Sequence, residues 1–373
     1  MAVTRSADSE IPDLDNGLWE RVRDAVQAEL QADKSLWKGK LDYTARPNIR
    51  GSASSDGVLR LNDGMVVQPL QEMYSTRGQP ATPEQWTQRR NALKTVSHEF
   101  THLASPQNHT HADRAAGMKD LKYKPIEEGV TEAWSQSSLD RVADRALPQD
   151  LADKIKGAEN ARHSYPAWEP AARSFADQVG LETGTDGDDV LRRMAAEPRT
   201  GKARAAADLM FDSSELPNRV PAEQQEAVRQ EIADDIDKGF AELGPLKENL
   251  TARTRDISKQ RGFEIADSAG DVVRAAEERY RSGPEQQQQR ETAQEAARAE
   301  TQTDLTALPP PNPADRLPNT PQQQQPPAQQ QPQPQQQPTT QQQPGPQQQP
   351  AAQQQPGAQQ QPAAQQQPAA QQQ

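Results

Sequence analysis

The sequence predicts a mainly helical α+β fold with a small N-terminal sheet, a helical C-terminal lobe and a disordered tail. Three observations carry this. Apolar residues recur at helical spacing, as Leu18, Val22, Val26 and Leu30 do early in the chain and Val228, Ile232, Ile236 and Phe240 do later. Between residues 41 and 61 the pattern breaks into short pieces at Arg46-Pro47-Asn48, Gly51 and Ser55-Asp56-Gly57, and Val58-Leu59-Arg60-Leu61 alternates as a strand does. From about residue 283 the chain turns to Gln and Pro, with 17 of its 32 prolines from Pro309 onward, so it has no apolar surface to offset the entropy of ordering. The organisation that follows is a domain over residues 1–245, a charged peripheral helix over 246–282 and a low-complexity tail over 283–373.

The elements are expected in this order. A helix over residues 16–31 buries one face, and a sheet of two to four strands occupies 41–61. A short helix follows at 68–74. Thr82 caps the best-specified helix, because Pro83 suits its first turn and Gln85 completes a capping box; it runs to about Ala104, and Pro106 stops it. A polar loop of about 18 residues leads to Pro125, which opens a helix reaching about Ser137. Further helices are expected at 148–156, at 167–179 closed by Gly180, at 188–196 and at 222–243 closed by Gly244. Beyond Pro245 the helical stretch to Tyr280 has few apolar positions and reads as peripheral or fraying.

Composition narrows the function. With 42 Lys and Arg against 54 Asp and Glu, the net charge of −12 falls entirely before Pro318, which disfavours nucleic-acid binding. The chain has 0 Cys, so disulfides, thiol nucleophiles and thiolate metal sites are excluded. The first residues carry acids where a signal peptide needs an apolar run, and no stretch resembles a membrane span, so the cytoplasm is the default expectation, with unconventional export not excluded. The tail reads as a solvated spacer or as a docking segment for an aromatic-lined groove on a partner.

Chemistry concentrates in His98-Glu99-Phe100-Thr101-His102, an HExxH string inside the capped helix. With His98 at 0°, His102 falls at about 40° and Glu99 at about 100°, whereas Leu93, Val96, Phe100 and Leu103 fall at about 140–220°. The helix is thus expected to bury its apolar back and present two imidazoles and a carboxylate to a cleft. That set suits a catalytic zinc ion (Zn2+), which takes three protein ligands and a water, with Glu99 accepting the proton of that water.

A third ligand is required. Glu128 and Glu132 lie at i and i+4 on the next helix, whose Val130, Ala133, Trp134 and Ser137 face the other way. One carboxylate can complete the site while the other holds a ligand histidine through its second ring nitrogen. The rival is His109, with His111 beside it.

The string Glu128-Gly129-Val130-Thr131-Glu132, following HExxH, resembles the EG(V/L/F)TE box of small bacterial zincin-like proteins, and the chain from about residue 41 to 180 resembles the gluzincin metallopeptidases. The resemblance implies a zincin-like domain in which His98, His102 and Glu128 bind zinc, Glu99 is the general base and Glu132 supports a ligand histidine. It also implies a peptide or protein substrate, an edge strand near Val58 to Leu61 that pairs with substrate backbone, and a Tyr donor to the oxyanion, for which Tyr165, with His163 nearby, is the candidate. The metzincin pattern fails, because Ser105 stands where Gly is needed and Asn108 where the last His is needed. Gly184-Thr185-Asp186 only faintly resembles the aspzincin ligand segment. The runner-up function is a catalytically silent zincin-fold binding or scaffold protein that recruits partners through its tail.

Overall fold

The computed structural model describes residues 17–159, 163–248 and 250–281, and these are mainly helical with two small sheets. Helix α1 (Leu18–Leu30) forms as its spacing dictates, with Leu18, Val22, Val26 and Leu30 fully buried. Strand β1 (Lys34–Ser35) follows, then β2 (Lys40–Thr44), β3 (Gly51–Ala53) and β4 (Val58–Asn62). A π-helical turn, capped by the Asn62 side chain, leads into α2 (Gln68–Ser75). Thr82 and Gln85 form the expected capping box at the start of α3 (Pro83–Leu103), which runs into β5 (Ala104–Ser105), the antiparallel partner of β1.

The three-stranded sheet has the order β2-β4-β3, with β2 parallel and β3 antiparallel to β4. The stretch Val58 to Leu61 is therefore the middle strand and not the edge strand the resemblance implied. Gly51–Ala53 is the edge. Asn62 N–H donates to Arg50 O and Ser54 N–H to Val58 O, so residues 50 and 54 pair toward β4. Antiparallel alternation then turns the peptide groups of Gly51 and Ala53 the other way. The outward Ala53 carbonyl accepts from Arg114 Nη2 at 3.2 Å.

The 18-residue loop expected after α3 is instead structured by α4 (His111–Lys119) and a 3-10 turn at Leu121–Tyr123. Thr110 and Asp113 form a second capping box there, but α4 buries no residue, so its sequence shows no apolar stripe. Pro125 opens α5 (Lys124–Ala146), which runs past Ser137 because Leu139, Val142, Ala143 and Ala146 continue its buried face. After α6 (Gln149–Lys156) comes α7 (Glu169–Thr183), and Gly180 lies inside it rather than closing it. The left-handed residue that ends α7 is Gly184, with φ 68°.

Helix α8 (Gly187–Ala196) begins at the Asp186 cap, so Gly184 to Asp186 makes a cap-to-cap connection. Helices α9 (Lys202–Asp212) and α10 (Leu216–Arg219) were not expected, since the large apolar residues of α9, Leu209, Met210 and Phe211, are consecutive and its other buried positions are three alanines and Lys202. Helix α11 (Ala222–Ala241) buries Val228, Ile232, Ile236 and Phe240 as predicted. The residues of the Gln/Pro tail lie outside those described.

Helix α12 (Thr254–Arg279) is not peripheral. It lies along α7 through Ser258, Gly262, Ile265, Ala266 and Ala269, all buried. Ser258 Oγ accepts from Ala171 N–H at 3.1 Å, and Ser174 Oγ donates to Lys259 O at 2.6 Å. Small residues bring the two backbones this close, which is why the sequence shows so little apolar signal. A Cβ on Gly262 would lie 2.1 Å from Ser174 Oγ and 2.2 Å from Ala171 O. Gly262→Ala is therefore expected to destabilise by about 3 kcal/mol, lowering Tm by about 2–4 °C per kcal/mol in a domain of this size. Gly244→Ala, with open space at its Cβ, serves as the near-neutral control in the same melt.

Candidate metal centre

Helices α3 and α5 run antiparallel, so that Lys94, His98 and His102 on one meet Glu132, Glu128 and Glu127 on the other. Leu93, Val96, Phe100 and Leu103 are buried on the far side of α3, and Val130, Ala133 and Trp134 on the far side of α5. Both helices are therefore fixed by their apolar backs, and the polar faces meet at a cleft bounded by Gly51, Ala53, Arg114 and Tyr165.

Three ligand atoms converge there. His98 Nε2 and His102 Nε2 are 3.2 Å apart, and Glu128 Oε2 lies 3.5 Å from the first and 3.4 Å from the second. Metal bonds of about 2.0–2.1 Å at tetrahedral angles place neighbouring ligands about 3.3–3.4 Å apart. The observed triangle has that size. Glu128 Oε2 is also buried without a hydrogen-bond partner, as expected of an atom whose partner is a cation. His98, His102 and Glu128 thus fit zinc.

The outer ring nitrogens face carboxylates. His98 Nδ1 lies 3.0 Å from Glu132 Oε2 in a bent contact, and His102 Nδ1 lies 2.5 Å from Glu127 Oε1. Fully buried Glu132 is fixed in turn by Lys94 Nζ at 2.8 and 3.0 Å, by Ser164 N–H at 2.7 Å and by Gln136 Nε2 at 3.0 Å. Lys202 Nζ lies 3.4 Å from Glu127 Oε2. Sequence reasoning missed Glu127, Lys94 and Lys202. Lys94 was within reach, because it precedes His98 by one turn on the ligand face. Lys202 comes from a helix the sequence did not reveal.

The electrostatics follow from these contacts. Burial alone would raise the Glu128 and Glu132 carboxyls, but the imidazoles and, for Glu132, Lys94 outweigh it and hold both below the usual carboxylate range. Burial likewise opposes charge on His98, yet Glu128 and Glu132 push its imidazole up to about 10. A metal ion taking these atoms as ligands would have to displace protons, so its affinity would rise with pH.

Glu99 is buried beside the cleft, and burial pushes its carboxyl up. Its place depends on Gly51, where a Cβ would come within 2.8 Å of Glu99 Oε1. Tyr165 takes the left-handed backbone region at φ 52° and stacks its ring on His98, with centroids 5.7 Å apart. Burial and the Glu128 and Glu99 carboxylates push its phenol far up, so the hydroxyl keeps its proton. Gly129 permits this arrangement, because a Cβ there would lie 2.8 Å from Trp168 O in the same turn.

The remaining histidines lie outside the triad. His109 borders the cleft but does not join the ligand cluster. His111 Nδ1 lies 3.2 Å from Ser55 O, and His163 Nδ1 lies 3.5 Å from Glu169 Oε2. Among the described residues no helix is long and apolar enough to cross a membrane. No family model, no curated protein and no solved structure matches the chain.

Proposed function

We propose that the chain is a zinc-dependent peptide-bond hydrolase of the gluzincin type on a zincin-like domain, acting on peptides or proteins. The observation that carries this reading is the triangle of His98 Nε2, His102 Nε2 and Glu128 Oε2, with edges of 3.2, 3.4 and 3.5 Å, beside a buried Glu99. A structural metal site has no use for that carboxylate. When bound, zinc supplies a Lewis acid for the carbonyl and lowers the pKa of water.

Glu99 takes the proton of the attacking water and passes it to the departing amine. Burial, which raises its pKa, brings it closer to the operating pH. Tyr165, kept protonated, donates to the carbonyl oxygen as negative charge develops. Glu132 and Glu127 hold the imidazoles in orientation and select the tautomer that offers Nε2. The outward peptide groups of Gly51 pair with an extended substrate backbone.

Calorimetric titration of the full chain with zinc tests the site. One ion per chain is expected, with proton release and an affinity that rises with pH, and His102→Ala should lose high-affinity uptake because two ligands hold zinc far less well than three. Absence of zinc uptake by the wild-type chain would refute the reading.

A further inference from the structure

We propose that Arg199 forms a carboxylate-binding subsite in the cleft of the zinc triad, so that the favoured substrate carries a carboxylate near the bond to be cut. This rests on the hydrolase reading above. Arg199 lies in the turn between α8 and α9, where Gly201 N–H donates to Pro198 O at 2.7 Å. Lys202, 1% exposed, fastens this turn by donating to the carbonyls of Met194 at 3.3 Å and Glu197 at 3.0 Å. Arg199 borders the same cleft as Glu99, His102 and Glu128.

The other cations around the cleft are committed. Arg114 donates to the carbonyls of His102, Ala53 and Ser54, Lys202 to carbonyls as above, and Lys94 to Glu132. Arg199 differs. Its Nε and Nη2 are buried and have no hydrogen-bond partner among the described residues. The Arg199 side chain is half-buried as a whole, but donors buried without acceptors are unfavourable, and the positive charge of nearby Arg114 adds to that.

Of the carboxylates lining the cleft, Glu127 pairs with His102 and Lys202, Glu128 faces the two imidazoles and Asp113 caps Thr110, while Glu99 and Glu197 make no ion pair with Arg199. Nε and Nη2 form one edge of the guanidinium and present two parallel N–H groups. A carboxylate matches that edge with both oxygens. The α-carboxylate of a C-terminal residue and the side chain of Asp or Glu offer the same chemistry.

Four peptides separate the possibilities, with binding measured by calorimetry on the zinc-loaded full chain carrying Glu99→Gln to prevent turnover. One pair is an N-acetylated tripeptide as the free acid and as the C-terminal amide; the other is an amide-capped peptide containing Glu or Gln. One carboxylate member should bind about 10 to 100-fold tighter than its neutral partner, the range of a charge-assisted pair. A preference for the free acid assigns the α-carboxylate, and a preference for Glu assigns the side chain.

Adding Arg199→Gln should bring the acid down to the neutral level and leave the neutral peptide unchanged, and Arg199→Lys should restore only part of the difference. If Arg199→Gln does not fold, Arg199→Lys carries the comparison alone. Equal binding of all four peptides, or a preference undiminished in the Arg199 variants, would overturn the subsite. Because binding is read without turnover, a wild-type chain that shows the preference yet hydrolyses nothing sinks the hydrolase reading alone.

Discussion

Glu99→Gln is expected to bind zinc like the wild type, to melt at the same temperature and to lose peptide hydrolysis by about 10²–10⁴-fold. The amide is isosteric with the carboxyl, so it fits the space left by Gly51, where a Cβ would already crowd Glu99 Oε1 at 2.8 Å. It also puts no charge into the buried site, so the substitution does not oppose the fold. What it cannot do is accept a proton. Turnover of a peptide library and zinc content, measured on the same preparation, separate loss of chemistry from loss of metal. Retained turnover in this variant removes Glu99 from the mechanism.

The second large effect concerns the third ligand. Glu128→Ala should weaken zinc binding by well over 100-fold, as heavily as a histidine substitution does, because it deletes one corner of the ligand triangle. Glu132→Gln and Glu127→Gln should each cost about 10 to 100-fold, since they slacken an imidazole without removing a ligand. Gln is the proper replacement there, because Ala at 132 would strand the buried Lys94 ammonium. His109→Ala should be silent. Competition with a calibrated chelator measures all four, and a large loss in His109→Ala with Glu128→Ala near wild type would overturn the ligand assignment.

How much of this was legible depends on the distance over which the information acts. The capped start of α3, its buried apolar back and the projection of His98, Glu99 and His102 follow from local spacing, and the structure agrees with each. The facing of Glu128 and Glu132 toward the histidines was legible for the same reason, since both helices needed to bury their other sides. The route of the chain between them was not. Helix α4 buries nothing, α9 has its large apolar residues Leu209, Met210 and Phe211 in one consecutive run, and α12 packs through Gly262 and Ser258, so none offers the spaced apolar contrast that periodicity detects. Gly180 misled because glycine marks helix ends by conformation and also permits close approach; here a Cβ would meet Thr185 O at 2.6 Å. The strand order was hidden for a different reason: alternation shows which face a residue takes, not which strand lies outermost.

Arg114 bears on self-association. An exposed strand edge is a template for another copy of the same chain, and proteins blunt such edges with charge or by occupying the outward groups. On the far edge of the sheet, β2 carries exposed Lys40 and Asp42, charges that discourage a second sheet from adding. On the cleft edge, the guanidinium of Arg114 occupies the outward Ala53 carbonyl and ties it to the last turn of α3 through His102 O. A foreign β-sheet arriving there finds pairing for about one residue and then a cation. Only the peptide groups of Gly51 are left open on that edge, and Arg114, which braces the fold, also closes the edge to growth into a fibre.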